Sequence, residues 1–173
     1  MTTTLAIDPG PLESAYCIVT DADLRPLEVD KLVNGKLIDR LANLPYGYIM
    51  GGGEAWHLVQ QVAIEQVASY GMIVGAEVFE TCFWSGRFYQ MLAEQGYEPD
   101  MIRRQPVRLH HCHSSKANDG NVRQALIDRF TPGAPNHGKG STSQPGWFYG
   151  FRADIWQAYA LAVYAVDTRK DAA

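Results

Sequence analysis

Thr4-Leu5-Ala6-Ile7-Asp8-Pro9-Gly10 reads as an apolar strand running into a turn that carries a carboxylate. Two further β-rich runs follow at close range, Ser14 to Thr20 (SAYCIVT) and Leu27 to Val33 (LEVDKLV), the latter alternating like a half-exposed strand. Gaps of a few residues between the three predict hairpins, hence an antiparallel meander. Lys36 to Leu44 has a short helical pattern, Gly51-Gly52-Gly53 marks a loop, and a helical turn is expected around residues 55–59. Gln61 to Val67 (QVAIEQV) reads as a buried strand holding one acid, Glu65. A long helix is expected over about residues 74–95, with Gly86 as its weak point. Pro106 to Cys112 (PVRLHHC) reads as a fifth strand, and Asp119 to Phe130 as a helix with Val122, Leu126, Ile127 and Phe130 on one face. The last helix, about residues 153–166, is small and apolar and should pack on the sheet. This order predicts an α/β domain in which a five-stranded mixed sheet, an antiparallel meander continued by parallel strands, is flanked by helices.

The chain of 173 residues is expected to form one domain over 1–173, without internal repeats. An apolar fraction of 46% with nine Tyr, six Phe and four Trp excludes fibrous and wholly disordered classes. No apolar run approaches the roughly 18 residues that a membrane span needs, and the start does not resemble a signal peptide. Three cysteines (Cys17, Cys82 and Cys112) without C-x-x-C spacing argue against a disulfide framework or a closed zinc site. A soluble, cytoplasmic protein with no membrane partner is the expectation. Residues 131–150 hold five Gly and three Pro, and a loop that long is expected to be mobile or functional.

The net charge of −4 conceals a segregation. Residues 1–100 carry 5 Lys and Arg against 14 Asp and Glu, whereas residues 101–152 carry 8 against 2. A basic third behind an acidic body suggests a polyanionic partner, although a solvated basic face has the same composition.

Three acids lie where an apolar setting makes them expensive: Asp8 at a strand end, Glu65 inside a strand and Asp154 in an apolar helix. Each has an ordinary reading, as a turn acid, as the partner of an arginine, and as a charge at a helix start. If the first and fourth strands are neighbours, Asp8 and Glu65 project side by side and the last helix brings Asp154 across them. Three carboxylates with no positive partner nearby in sequence then form a site for a hard divalent cation, Mg²⁺ above all. His110-His111-Cys112-His113 is a weak zinc candidate, because in a strand consecutive side chains point to opposite faces; contact of one or two of the histidines with phosphate fits better.

The segments Ala6-Ile7-Asp8-Pro9-Gly10, Ala63-Ile64-Glu65-Gln66-Val67, Lys116-Ala117 with Val122 six positions after the lysine, and Asp154-Ile155-Trp156-Gln157-Ala158-Tyr159-Ala160-Leu161-Ala162 occur in that order over about 160 residues. Together they resemble the RuvC-type Holliday junction resolvases of the ribonuclease H-like superfamily. Ser69-Tyr70-Gly71-Met72, Val74-Gly75 and Phe79-Glu80-Thr81 resemble a phage-associated branch of that family. The resemblance implies a ribonuclease H-like fold and an Mg²⁺-dependent endonuclease, with Mn²⁺ able to substitute, acting as a homodimer on branched DNA such as a four-way junction.

By that resemblance Asp8, Glu65 and Asp154 are metal-binding catalytic carboxylates and Lys116 a catalytic cation near the scissile phosphate. A further family acid, one helical turn after the third, is replaced here by Gln157. Asp119 is a candidate to compensate as a metal ligand, against a reading as the cap of the helix that follows. Tyr70 is placed to stack on an unpaired base, and the basic strip from Arg103 to Arg152, with Arg108, Lys116, Arg123 and Lys139, to grip phosphates. Two other readings stay open: a ribonuclease H-like nuclease acting on a hybrid or flap, and a junction-binding protein without catalysis.

Overall fold

A computed structural model describes residues 2–44, 48–49, 56–69, 71 and 74–172. Strands β1 (Thr2–Asp8), β2 (Glu13–Thr20) and β3 (Pro26–Val33) form the expected antiparallel meander, followed by α1 (Asn34–Leu41). A two-residue strand, β4 (Tyr48–Ile49), pairs with the start of β5 (Trp56–Gln66). Helix α2 (Ala76–Glu94) leads to β6 (Asp100–Arg103), and α3 (Arg104–Cys112), α4 (Asp119–Phe130) and α5 (Ile155–Ala172) complete the chain. β1 pairs antiparallel with β2 and parallel with β5, and β5 pairs parallel with β6, so the main sheet runs β3-β2-β1-β5-β6.

Alternation along the strands sorts the core into two layers. Leu5, Ile7, Tyr16, Ile18, Val62 and Ile64 face Leu37 and Leu41 of α1 and Phe88 and Leu92 of α2. Ala6, Ala15, Cys17 and Ala63 face α5, which meets them with Ala158, Ala160, Ala162 and Ala165. Small side chains on both partners bring α5 close to the sheet, and every residue of β1 after Thr2 is buried.

Two elements differ from the sequence reading. Residues 56–59 belong to β5 rather than to a helical turn. Pro106–Cys112 is helix, and the fifth main strand is Asp100–Arg103. The alternation of Val107 and Leu109 imitates a half-buried strand, yet Leu109 is exposed and Val107 alone in α3 is buried. Pro106 is the third residue of α3, inside the first turn, where its missing N–H costs no hydrogen bond.

Residues 131–150 fold back on themselves. Gly138 O accepts from the Phe148 N–H, Lys139 O accepts from the Gly146 N–H, and Gly140 bridges Pro145. The fully buried Phe148 anchors the segment among Phe130, Phe151, Trp156 and Tyr159. The Tyr159 hydroxyl accepts from Trp147 Nε1 at 3.0 Å and donates to Leu24 O at 3.0 Å, so its burial leaves no polar debt. Among the described residues no helix is long and apolar enough to cross a membrane.

Candidate active site

The parallel register of β1 and β5 sets Ile7 beside Ile64, which puts Asp8 and Glu65 next to each other at the carboxyl ends of adjacent strands. Both share strand parity with the alanines that face α5, Ala6 and Ala63, so both project to the α5 side. The turn after Asp8 depends on Gly10: a Cβ there would stand 2.3 Å from the Glu13 carbonyl oxygen. Gly10 N–H donates to Ser14 Oγ at 3.1 Å, and Asn34 Nδ2 donates to Gly10 O at 3.0 Å. That bracing holds the end of β1 and the carboxylate it carries.

Asp8 is 7% exposed. Burial pushes its carboxyl well above the usual range, and the charges of Glu65, Asp154 and Asp119 push in the same direction against Arg104. The four acids therefore share one electrostatic neighbourhood. Glu65 is also raised, by burial first, with Arg104 opposing.

The acids are not free of cations, contrary to the sequence expectation. Arg104, the first residue of α3, donates from Nε to Glu65 Oε1 at 2.8 Å. Its Nη2 lies 2.7 Å from the same oxygen and 3.5 Å from Asp8 Oδ1, and its Nη1 lies 4.0 Å from Asp119 Oδ2. Arg108, one turn on, reaches Asp119 Oδ1 at 3.0 Å. Lys31 of β3 holds Asp154 Oδ2 at 2.7 Å and approaches Glu13 at 3.8 Å; the hydrogen bond to Asp154 chiefly raises its pKa. Burial works against the charge on Arg104, but Glu65 and Asp8 outweigh it and hold the guanidinium firmly protonated.

Asp119 is not a cap. Asn118 caps α4, accepting from the Asn121 N–H at 3.0 Å while the Asn121 side chain accepts from the Asn118 N–H. This reciprocal capping box leaves the Asp119 carboxylate to Arg104 and Arg108. Asp154 directly precedes α5 and follows Ala153, whose φ of 40° is a left-handed conformation costly for a residue with a Cβ. Gln157 is buried and lines a shallow depression with Asp119, Arg123, Lys139, Arg152 and Trp156. Lys116 is exposed and lines a neighbouring depression with Arg104, Gln105, Arg108 and Ser115. Arg123 lies over the Trp156 ring at 4.9 Å. The predicted cations Arg108, Lys116, Arg123 and Lys139 thus border the acidic cluster; Tyr70 lies outside the described residues.

The histidine run sits on a helix, so the strand argument about its faces does not apply. His110 Nε2 meets Asp167 Oδ2 at 2.8 Å, and His111 Nε2 meets Ala160 O at 2.9 Å. Burial lowers the His111 pKa to about 4. Arg104 and Lys31 were not singled out by sequence. A proline-containing helix start directly after β6 was the available signal for Arg104.

The donor chemistry fits a hard divalent cation, being all carboxylate oxygen. By formal count Asp8, Glu65, Asp119 and Asp154 stand four to three against Arg104, Arg108 and Lys31, with Glu13 beside Lys31. In the described geometry no three His, Cys, Asp or Glu side chains among the described residues converge on a metal position. Arg104 occupies the space between Asp8 and Glu65.

No protein-family model matches this sequence. No curated protein matches it either. Among solved structures, Thermus thermophilus RuvC is similar at a TM-score of 0.67 and 14% identity, over 98% of this chain and 96% of that one. The fold is RuvC-like. T. thermophilus RuvC in complex with a Holliday junction substrate is similar at a TM-score of 0.66 and 14% identity, over 99% of this chain and 97% of that one. The likeness extends through the whole mixed sheet and its helices, the ribonuclease H-like arrangement expected from the sequence.

Proposed function

We propose that the chain is a metal-dependent endonuclease that resolves four-way DNA junctions. The observation that carries the reading is a buried Asp8 beside Glu65 at the carboxyl ends of adjacent strands, bordered by cations, in a fold shared with a protein solved on a Holliday junction. When bound, Mg²⁺, or Mn²⁺ in its place, supplies charge stabilisation at phosphate oxygens and a nucleophile at neutral pH. Asp8 and Glu65 would hold it from the sheet, Asp154 and Asp119 from the starts of α5 and α4. Lys116 neutralises charge developing at the phosphate, and Arg108, Arg123 and Lys139 hold the backbone. Tyr70 stacks on an unpaired base.

The chain works as one nuclease domain in the cytoplasm, and the 131–150 segment meets DNA through Lys139, which lines the depression beside Asp119. Ser69-Tyr70-Gly71-Met72 and Phe79-Glu80-Thr81 support the phage-associated branch. The active form is a homodimer, which brings two sites to one junction. Phe79 and Phe83, 67% and 58% exposed and one turn apart on α2, supply an apolar face suited to the dimer interface.

Asp8→Asn tests the reading: junction cleavage with Mg²⁺ should fall by at least about a hundredfold, and equal rates for mutant and wild type would overturn it. The mutant should unfold no earlier than wild type at neutral pH, because burial and Glu65 disfavour the ionised carboxyl that it removes. Gln157, standing where a fourth acid is expected, favours a second reading as a junction binder without catalysis. That reading requires tight junction binding and no cleavage with either Mg²⁺ or Mn²⁺. Junction, flap, hybrid and plain duplex assayed side by side separate the substrate classes, which the fold does not choose between.

A further inference from the structure

Arg104 stands at the boundary of two depressions. One is lined by Pro9, Glu65, Gln66 and Arg108, and the other by Gln105, Arg108, Ser115 and Lys116. Its guanidinium contacts Glu65, Asp8 and Asp119 at 2.7, 3.5 and 4.0 Å, yet its side chain is 34% exposed. The long stem rises from the first turn of α3, so the head can turn between the two depressions while the backbone stays still. On one side it neutralises carboxylates; on the other it joins Arg108 and Lys116 in a depression whose lining, with Gln105 and Ser115, contains no acid.

Resting on the proposed function, we infer that Arg104 is a displaceable counter-ion that holds the divalent-cation position in the free protein and turns to a DNA phosphate when the cation enters. Two like charges cannot share the space between Asp8 and Glu65, so a divalent ion must evict the guanidinium. An anion in the Lys116 depression gives the evicted head a new partner, and Arg is suited to that exchange because its fork fits carboxylate and phosphate alike. Cation binding and DNA binding then favour each other, since each removes an obstacle to the other.

The test is Mn²⁺ affinity measured by calorimetry without DNA, on wild type, Arg104→Met, Arg104→Gln and Asp8→Asn, each first checked by circular dichroism for intact fold. Both Arg104 variants should bind Mn²⁺ at least about tenfold more tightly than wild type, while cutting junctions more slowly at saturating Mn²⁺. A merely structural arginine would not move affinity and rate in opposite directions. Unchanged or weaker Mn²⁺ binding in whichever Arg104 variant folds overturns the inference. If Asp8→Asn abolishes Mn²⁺ binding in that case, the carboxylate site stands and only the displacement fails. If Asp8→Asn binds Mn²⁺ as wild type does, the carboxylate reading fails and the displacement with it.

Discussion

The two faces of the sheet are built on different terms. The face under α1 and α2 buries branched aliphatics against Phe88 and Leu92 and carries none of the acids discussed above. The α5 face is lined with alanines and cysteine, carries an aromatic cluster at one end, and bears Asp8 and Glu65 at the strand ends. One strand serves both: odd positions of β1 fill the first layer and even positions the second, so two adjacent residues, Ile7 and Asp8, belong to different kinds of interior. On the α5 face large aromatics interlock in one cluster, while the small residues of β1 and β5 leave room at the strand ends for two carboxylates.

Breaking the α2 face should have the largest effect. Phe88 is fully buried, so Phe88→Ala should cost about 3–5 kcal/mol, read as a lower denaturant midpoint, while leaving Mn²⁺ affinity of the folded fraction unchanged. A loss of Mn²⁺ affinity in that variant would show the two faces to be coupled.

The α5 face should respond to pH. His111 has its pKa lowered to about 4 by burial, against about 6.5 in an unfolded chain. The unfolded state therefore binds the proton first, and stability falls as pH drops from 7 towards 4. The loss expected between pH 7 and pH 5 is about 1–2 kcal/mol, followed by chemical denaturation. His111→Gln should flatten that part of the profile.

The smallest effect belongs to the exposed rim. Lys116→Ala should leave stability unaltered and reduce the salt slope of junction binding by about 1, since one phosphate contact is lost. Binding measured from low to high salt checks it.

Short apolar runs bounded by turns made the meander and the latter part of β5 readable, since β1 and β2 are buried on both faces, and helix periodicity did the same for α2 and α4, which bury one face. Asp8 and Glu65 were readable for a related reason: a carboxylate in an apolar run stands out. Pro106–Cys112 was misread because a nine-residue helix with a single buried residue offers too little apolar pattern to separate it from a short strand. Arg104 was lost with that misreading, for its role depends on opening a helix at the end of β6.

Sequence alone determined which residues alternate, which acids would be costly to bury, and that the basic charge lies in one third of the chain. Those are properties of neighbours along the backbone. Only the tertiary structure decided which cation meets which acid, because Arg104 and Glu65, or Lys31 and Asp154, are 39 and 123 residues apart and meet only through strand register and helix packing.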